Sequence, residues 1–122
     1  MPGTDLYFYK SEDGSIPLLG WLDTMPRNVQ IKCTARISRL VELGNELRRP
    51  EADFLRDGIY ELRANYQGVH YRLLYFFAGR SIAVLSHGLT KLREVPNKEI
   101  EIAIKRKRQV AADFQRYTFK PK

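Results

Sequence analysis

Residues 59–91 read IYELRANYQGVHYRLLYFFAGRSIAVLSHGLTK, and this stretch decides the fold. In its first eight residues Tyr60, Leu62 and Ala64 fall on one side while Ile59, Glu61, Arg63 and Asn65 fall on the other, the period of two that a strand requires. VHYRLLYFFAG is rich in aromatic and β-branched residues and makes a second strand, with Gln67 and Gly68 as a tight turn between the two. AGRS turns the chain again into SIAVLSHGL, a third strand. Three consecutive strands with connections this short must run antiparallel.

Upstream, Leu6 to Tyr9 predicts a short aromatic strand before the turn-like SEDGS. SIPLLGWLDTMP places Leu18, Leu19, Trp21 and Leu22 at helical spacing until Pro26 interrupts. The following stretch sets Val29, Ile31, Ile37, Leu40, Val41 and Leu47 on roughly one face of a longer amphipathic helix. RRPEADFLRDG, broken by Pro50 and Gly58, reads as a connection. Downstream, Asn97 after Pro96 predicts an N-cap, and Glu99 and Glu101 suit the positive end of a helix dipole. Ile100, Ala103, Ile104, Val110, Ala111 and Phe114 supply that helix's apolar stripe, with the KRKR run at 105–108 projecting to solvent. The order β, α, α, β, β, β, α predicts one α+β domain over residues 1–122, a small sheet covered on one face by helices.

Composition narrows the function. The chain has 21 Lys and Arg against 14 Asp and Glu, a formal charge of +7, which points to an anionic partner. Residues 1–90 hold 11 basic and 10 acidic groups and residues 91–122 hold 10 and 4, so the surplus is +1 and then +6. The lone Cys33 excludes an internal disulfide and fits a reducing cytoplasm; two histidines and one cysteine make a poor metal set. The N-terminus lacks a signal-peptide pattern, and no apolar run approaches the ~18 residues that cross a bilayer, so neither export nor a membrane partner is expected. P-loop, GxGxxG, GxSxG and HExxH patterns do not occur, which argues against a nucleotide or metal enzyme.

The candidate chemistry lies in the meander. Arg63, Arg72 and Lys91 each lie in a strand or strand exit, where a sheet holds a cation more firmly than a loop does. Whether Arg63 and Arg72 share a face depends on register. Three such cations suit one phosphate: cleavage of an RNA strand requires the 2′-hydroxyl deprotonated, the phosphorane charge stabilised and the 5′-oxygen protonated, and cations serve the second task directly. Arginine is a poor base, which leaves Lys91, His87 or a tyrosine for that role. Tyr71 is a candidate for stacking on a base, and Lys105, Arg106, Lys107 and Arg108 for phosphate contacts.

LRDGIYELRANYQGVHYRLLYFFAGRSIAVLSHGLTKLREVP resembles the HigB-like branch of the RelE/ParE toxin superfamily. The resemblance is carried by Gly58 to Arg63, Tyr71 to Leu73, His87 to Lys91, and Pro96 with the acidic helix start after it, and it covers most of residues 54–112. It implies a RelE-like fold and the toxin of a type II toxin-antitoxin pair, an mRNA interferase that needs neither metal nor cofactor and cleaves messages in the ribosomal A site. The implied partners are mRNA, the ribosome and a helix-turn-helix, HigA-like antitoxin. By matching position Arg63 and Arg72 are the strand cations and Lys91 the basic residue after His-Gly, with His87 in support. Many members carry two successive lysines at this exit; here Leu92 follows Lys91, so the second cation is either displaced to Arg93 or absent. The alternative is a binding module on the same fold, a ParE-like gyrase inhibitor or a degenerate toxin that only binds its antitoxin.

Overall fold

The computed structural model describes residues 3–91 and 93–121. Six strands, β1 (Asp5–Tyr9), β2 (Ala52–Arg56), β3 (Ile59–Tyr66), β4 (Val69–Phe77), β5 (Ile82–Lys91) and β6 (Thr118–Phe119), form one sheet in the order β2-β3-β4-β5-β1-β6. Four α-helices, α1 (Pro17–Asp23), α2 (Arg27–Leu43), α3 (Asn97–Ala112) and α4 (Phe114–Tyr117), and a short 3-10 helix at Gly44–Glu46 complete the described chain. The class is α+β. β2 to β5 pair antiparallel, as their short connections require, whereas β1 lies parallel to β5 and makes the whole sheet mixed.

The turns set the register. Gln67 and Gly68 both have positive φ, 50° and 80°, the two left-handed residues of a type I′ hairpin, and such a two-residue turn pairs Tyr66 with Val69 and hence Arg63 with Arg72. Asp57 and Gly58, at 52° and 81°, make a second turn of the same kind. Residues 52–56, expected as connection, are therefore an edge strand, because Asp-Gly is itself a strong hairpin signal.

Helices cover both faces of the sheet, not one. α1 and α2 bury Leu18, Val29, Cys33 and Leu40 against Phe8, Leu62, Leu73, Tyr75 and Leu85. α3 and α4 bury Ile100, Ala103, Ile104, Val110 and Tyr117 against Tyr9, Ile59, Leu74, Phe76 and Val84 on the reverse face. The alternation that reads as polar on that side of β3 gives way to apolar residues at Ile59, Leu74, Phe76 and Val84, and that patch is what α3 needs. Ile31, expected on the buried stripe of α2, is 53% exposed, and Cys33 takes the inward position. Burial pushes the Cys33 thiol up to about 11, which leaves it a protonated packing group. Asn97 is the first helical residue instead of the cap; its side-chain oxygen accepts from Arg56.

One irregularity positions the site. β5 pairs Leu85 with Tyr75 but His87 with Leu74, so Ser86 is an extra, bulged residue. In a regular strand Val84 and Lys91, seven residues apart, face opposite sides; the bulge puts both on the face that carries α3.

Candidate functional site

α3 covers only part of its face, and beyond it the strands present two rows of side chains. The first runs Arg63, Arg72, Leu89 across β3, β4 and β5, and the second runs Asn65, His70, Lys91. Directly opposed residues on neighbouring strands bring their Cβ atoms to about 5 Å. Arg63 and Lys91 thus flank one patch of sheet from half-buried positions, and Arg72 lies between them but buried.

Three like charges this close need a counter-charge, and Glu61 supplies it from β3. Its side chain is 6% exposed, with Oε1 3.3 Å from Arg72 Nε and Oε2 3.8 Å from Arg63 Nε. These are ion pairs by distance without the alignment of hydrogen bonds: Glu61 Oε1, Arg63 Nε and Arg72 Nε are buried and make no hydrogen bond among the described residues. Unsatisfied buried donors and acceptors are costly, and three of them in one spot set this cluster apart from the rest of the sheet. Arg72, only 1% exposed, is fixed by donating from Nη1 to the Tyr71 carbonyl (2.9 Å) and to Asn65 Oδ1 (3.4 Å).

Burial works against the charge of Arg72, and Glu61 opposes that shift. Lys91 is also held below the ordinary lysine range, first by burial and then by Arg72 and Arg63, with Glu61 and Glu94 pulling the other way. The cluster combines three cations with one carboxylate. It therefore keeps a surplus of positive charge facing solvent, where an anion gains most from it.

The remaining candidates lie elsewhere. Tyr71 is on the opposite face, buried beside Trp21, and cannot meet a ligand at the cations. His87 lies on the cation face but under the first turn of α3. Arg106 Nη1, which can only donate, approaches His87 Nδ1 at 3.2 Å, so Nδ1 accepts and Nε2–H donates to Glu99 Oε1 at 2.8 Å. Burial pushes the His87 pKa down, Glu99 opposes and Arg106 adds to the shift, so the ring stays neutral.

Arg106 itself corrects the solvent-facing KRKR expectation. Its guanidinium lies 4.7 Å from the centre of the Tyr9 ring and also reaches Ser86, because α3 turns that side toward β1 and β5. Lys107 is half-buried with its stem across Gly58, while Lys105 and Arg108 are exposed. Arg93 is exposed and borders a groove with Thr90, Lys91, Glu94 and Pro96, and Leu92 lies outside the described residues.

Sequence reasoning passed over Glu61, Asn65 and His70 as site residues. Their signal was the turn: once Gln67-Gly68 is taken as a two-residue hairpin, Asn65 must oppose His70 just as Arg63 opposes Arg72.

A family model described as phage derived protein Gp49-like (DUF891) matches residues 20–108, which include every residue of the cation patch. No curated protein matches the chain.

Proposed function

The chain belongs to the Gp49-like family of phage-derived proteins, a RelE-like toxin family, and from that membership we propose that it is the toxin of a HigB-like toxin-antitoxin pair, an mRNA interferase acting on translated messages. The observation that carries the reading is the direct cross-strand pairing of Arg63 with Arg72, with Lys91 one row away on the same face. A scissile phosphodiester seated on this patch places its non-bridging oxygens against Arg63 and Lys91, with the buried Arg72 guanidinium beneath them adding its charge. Attack by the 2′-hydroxyl adds negative charge to the phosphorus oxygens, and donors already in place stabilise that charge without reorganising. Glu61 holds the two arginines apart and oriented before substrate arrives. The partner that restrains the toxin is a helix-turn-helix antitoxin, and the exposed Lys105 and Arg108 add long-range attraction for the ribosome's RNA.

The test is induced expression in cells free of antitoxin, with translation, message 5′-ends and DNA integrity followed together. The expected outcome is translation arrest with new message 5′-ends and intact DNA. Arg63→Ala and Arg72→Ala should each lower cleavage by about 10²–10³-fold while the protein still binds its antitoxin. Arg63, at a half-buried position, separates chemistry from folding better than Arg72 does. Gyrase-dependent DNA breaks with messages intact would overturn the interferase reading in favour of a ParE-like one.

A further inference from the structure

The cations account for charge stabilisation but leave open which group takes the 2′-hydroxyl proton. In the structure the usual bases are already committed. His87 has both ring nitrogens engaged beneath α3. Glu61 is buried between two arginines. Tyr71 faces the other way, and Tyr66 is with it on the α1 and α2 side, its hydroxyl accepting from Asn28 Nδ2 at 2.7 Å.

His70 is different. It is exposed, in the second row of the cation face, between Asn65 on β3 and Lys91 on β5 and two residues along β4 from Arg72. Its Nδ1 lies 2.7 Å from Asn65 Oδ1, and the same oxygen receives Arg72 Nη1 at 3.4 Å. The guanidinium has only donors, so the amide must present its oxygen here, and an amide oxygen only accepts. Nδ1 therefore carries the proton. In the neutral ring this leaves the lone pair on Nε2, which makes no hydrogen bond among the described residues. Asn65 links the tautomer of His70 to the position of Arg72, in the way a third group orients the base in other proton-transfer sites.

We infer that His70 is the general base of the cleavage reaction, accepting the 2′-hydroxyl proton on Nε2. This rests on the interferase reading and assigns a role within the same site. The 2′-oxygen forms a bond to phosphorus as His70 takes its proton. The bond from phosphorus to the 5′-oxygen breaks, and that oxygen takes a proton from the Lys91 ammonium across the strand. The products are a 2′,3′-cyclic phosphate and a free 5′-hydroxyl, with no oxidant, metal or cofactor entering the balance. Arg63 and Arg72 carry the charge on the phosphorane throughout. The lowered Lys91 pKa makes its ammonium a readier acid than an ordinary lysine. The charged groups on the same face as His70 are Lys91 from β5 directly opposite, Arg63 from β3 and Arg72 from β4 one row away, and Glu61 from β3 two rows away.

The experiment is single-turnover cleavage of a messenger RNA on purified ribosomes by the full-length protein, from pH 5.5 to 9. Wild type should show a bell-shaped profile, rising as the base deprotonates and falling as the acid does. His70→Ala, at an exposed position, should cleave about 100-fold more slowly at neutral pH and lose the rising limb, with ribosome and antitoxin binding unchanged. Added imidazole should restore part of the rate to His70→Ala and none to Arg63→Ala. A His70→Ala protein with the wild-type rate and profile would overturn the role of His70 alone, since wild type and Arg63→Ala would still report on the interferase reading. A folded wild type that cuts no message would remove that reading, and the role of His70 with it.

Discussion

Glu61 places one negative charge between two guanidiniums on a sheet face, and at 4% exposure neither it nor Arg72 can turn to water for relief. A buried ion pair contributes little net stability when whole, yet removing one partner strands the other. Glu61→Gln should therefore destabilise the protein by about 3 kcal/mol, read as a lower urea midpoint. Glu61→Gln combined with Arg72→Met should cost clearly less than the sum of the two single changes, because the double variant strands only the half-buried Arg63 and no fully buried charge. Additive losses would mean that the pair is not coupled. The cations of this site were legible because arginine and lysine in amphipathic strands stand out. Glu61, Asn65 and His70 were not singled out, because polar residues at a strand's outward positions read equally well as solvated surface.

Among the elements, of the two type I′ turns the one at Gln67-Gly68 does the most to define the site, since it fixes the pairing of β3 with β4, whereas the pairing of β2 with β3 shifts by one residue between Phe54 and Arg56. β2, the edge strand made by the Asp57-Gly58 turn, is blunted. The Ala52 amide donates to the Arg48 carbonyl and the Phe54 amide to Asp53 Oδ1, so two donors of the strand are already occupied. α1 is held differently. Trp21 packs flat against Gly88 of β5, where an added methyl group would overlap the indole ring. Gly88→Ala should accordingly cost about 2–3 kcal/mol and red-shift the fluorescence of Trp21, the single tryptophan, in the folded protein. Gly68→Ala, which meets no atom but has φ of +80°, should cost about 1–2 kcal/mol with no change in emission. Equal emission shifts in both variants would contradict the close packing at Gly88. The helices were readable from spacing in the chain, whereas the Gly88–Trp21 contact joins residues far apart in sequence and left no local mark.

At the scale of the whole molecule, a sheet lies between two helical layers, and the second layer is pinned by a buried polar chain from Ser86 through His87 to Glu99, with Arg106 closing it. His87 has its pKa held below the ordinary value of 6.5, chiefly by burial. The unfolded chain therefore binds a proton more readily than the folded one, and stability falls as pH drops below about 6.5 toward the lowered folded value. Glu51 and Asp53, held low by Arg39 and Arg49 respectively, lose their contribution only below the carboxylate range. A melting temperature that falls between pH 6.5 and 5 in wild type, and stays flat over that window in His87→Gln, is the expected result; parallel curves would refute it. The sequence by itself determined the basic charge and where along the chain it lies, the three longer helices and the meander, because each follows from local spacing; it left the register of Arg63 against Arg72 open, and the left-handed Gln67-Gly68 turn settles it. Only the tertiary structure decided that α3 covers the reverse face, that Arg106 turns inward onto Tyr9, and that the bulge at Ser86 brings Lys91 to the side of the arginines. These depend on which distant surfaces meet, and a one-residue offset in a strand reverses every side chain beyond it without changing a letter of the pattern.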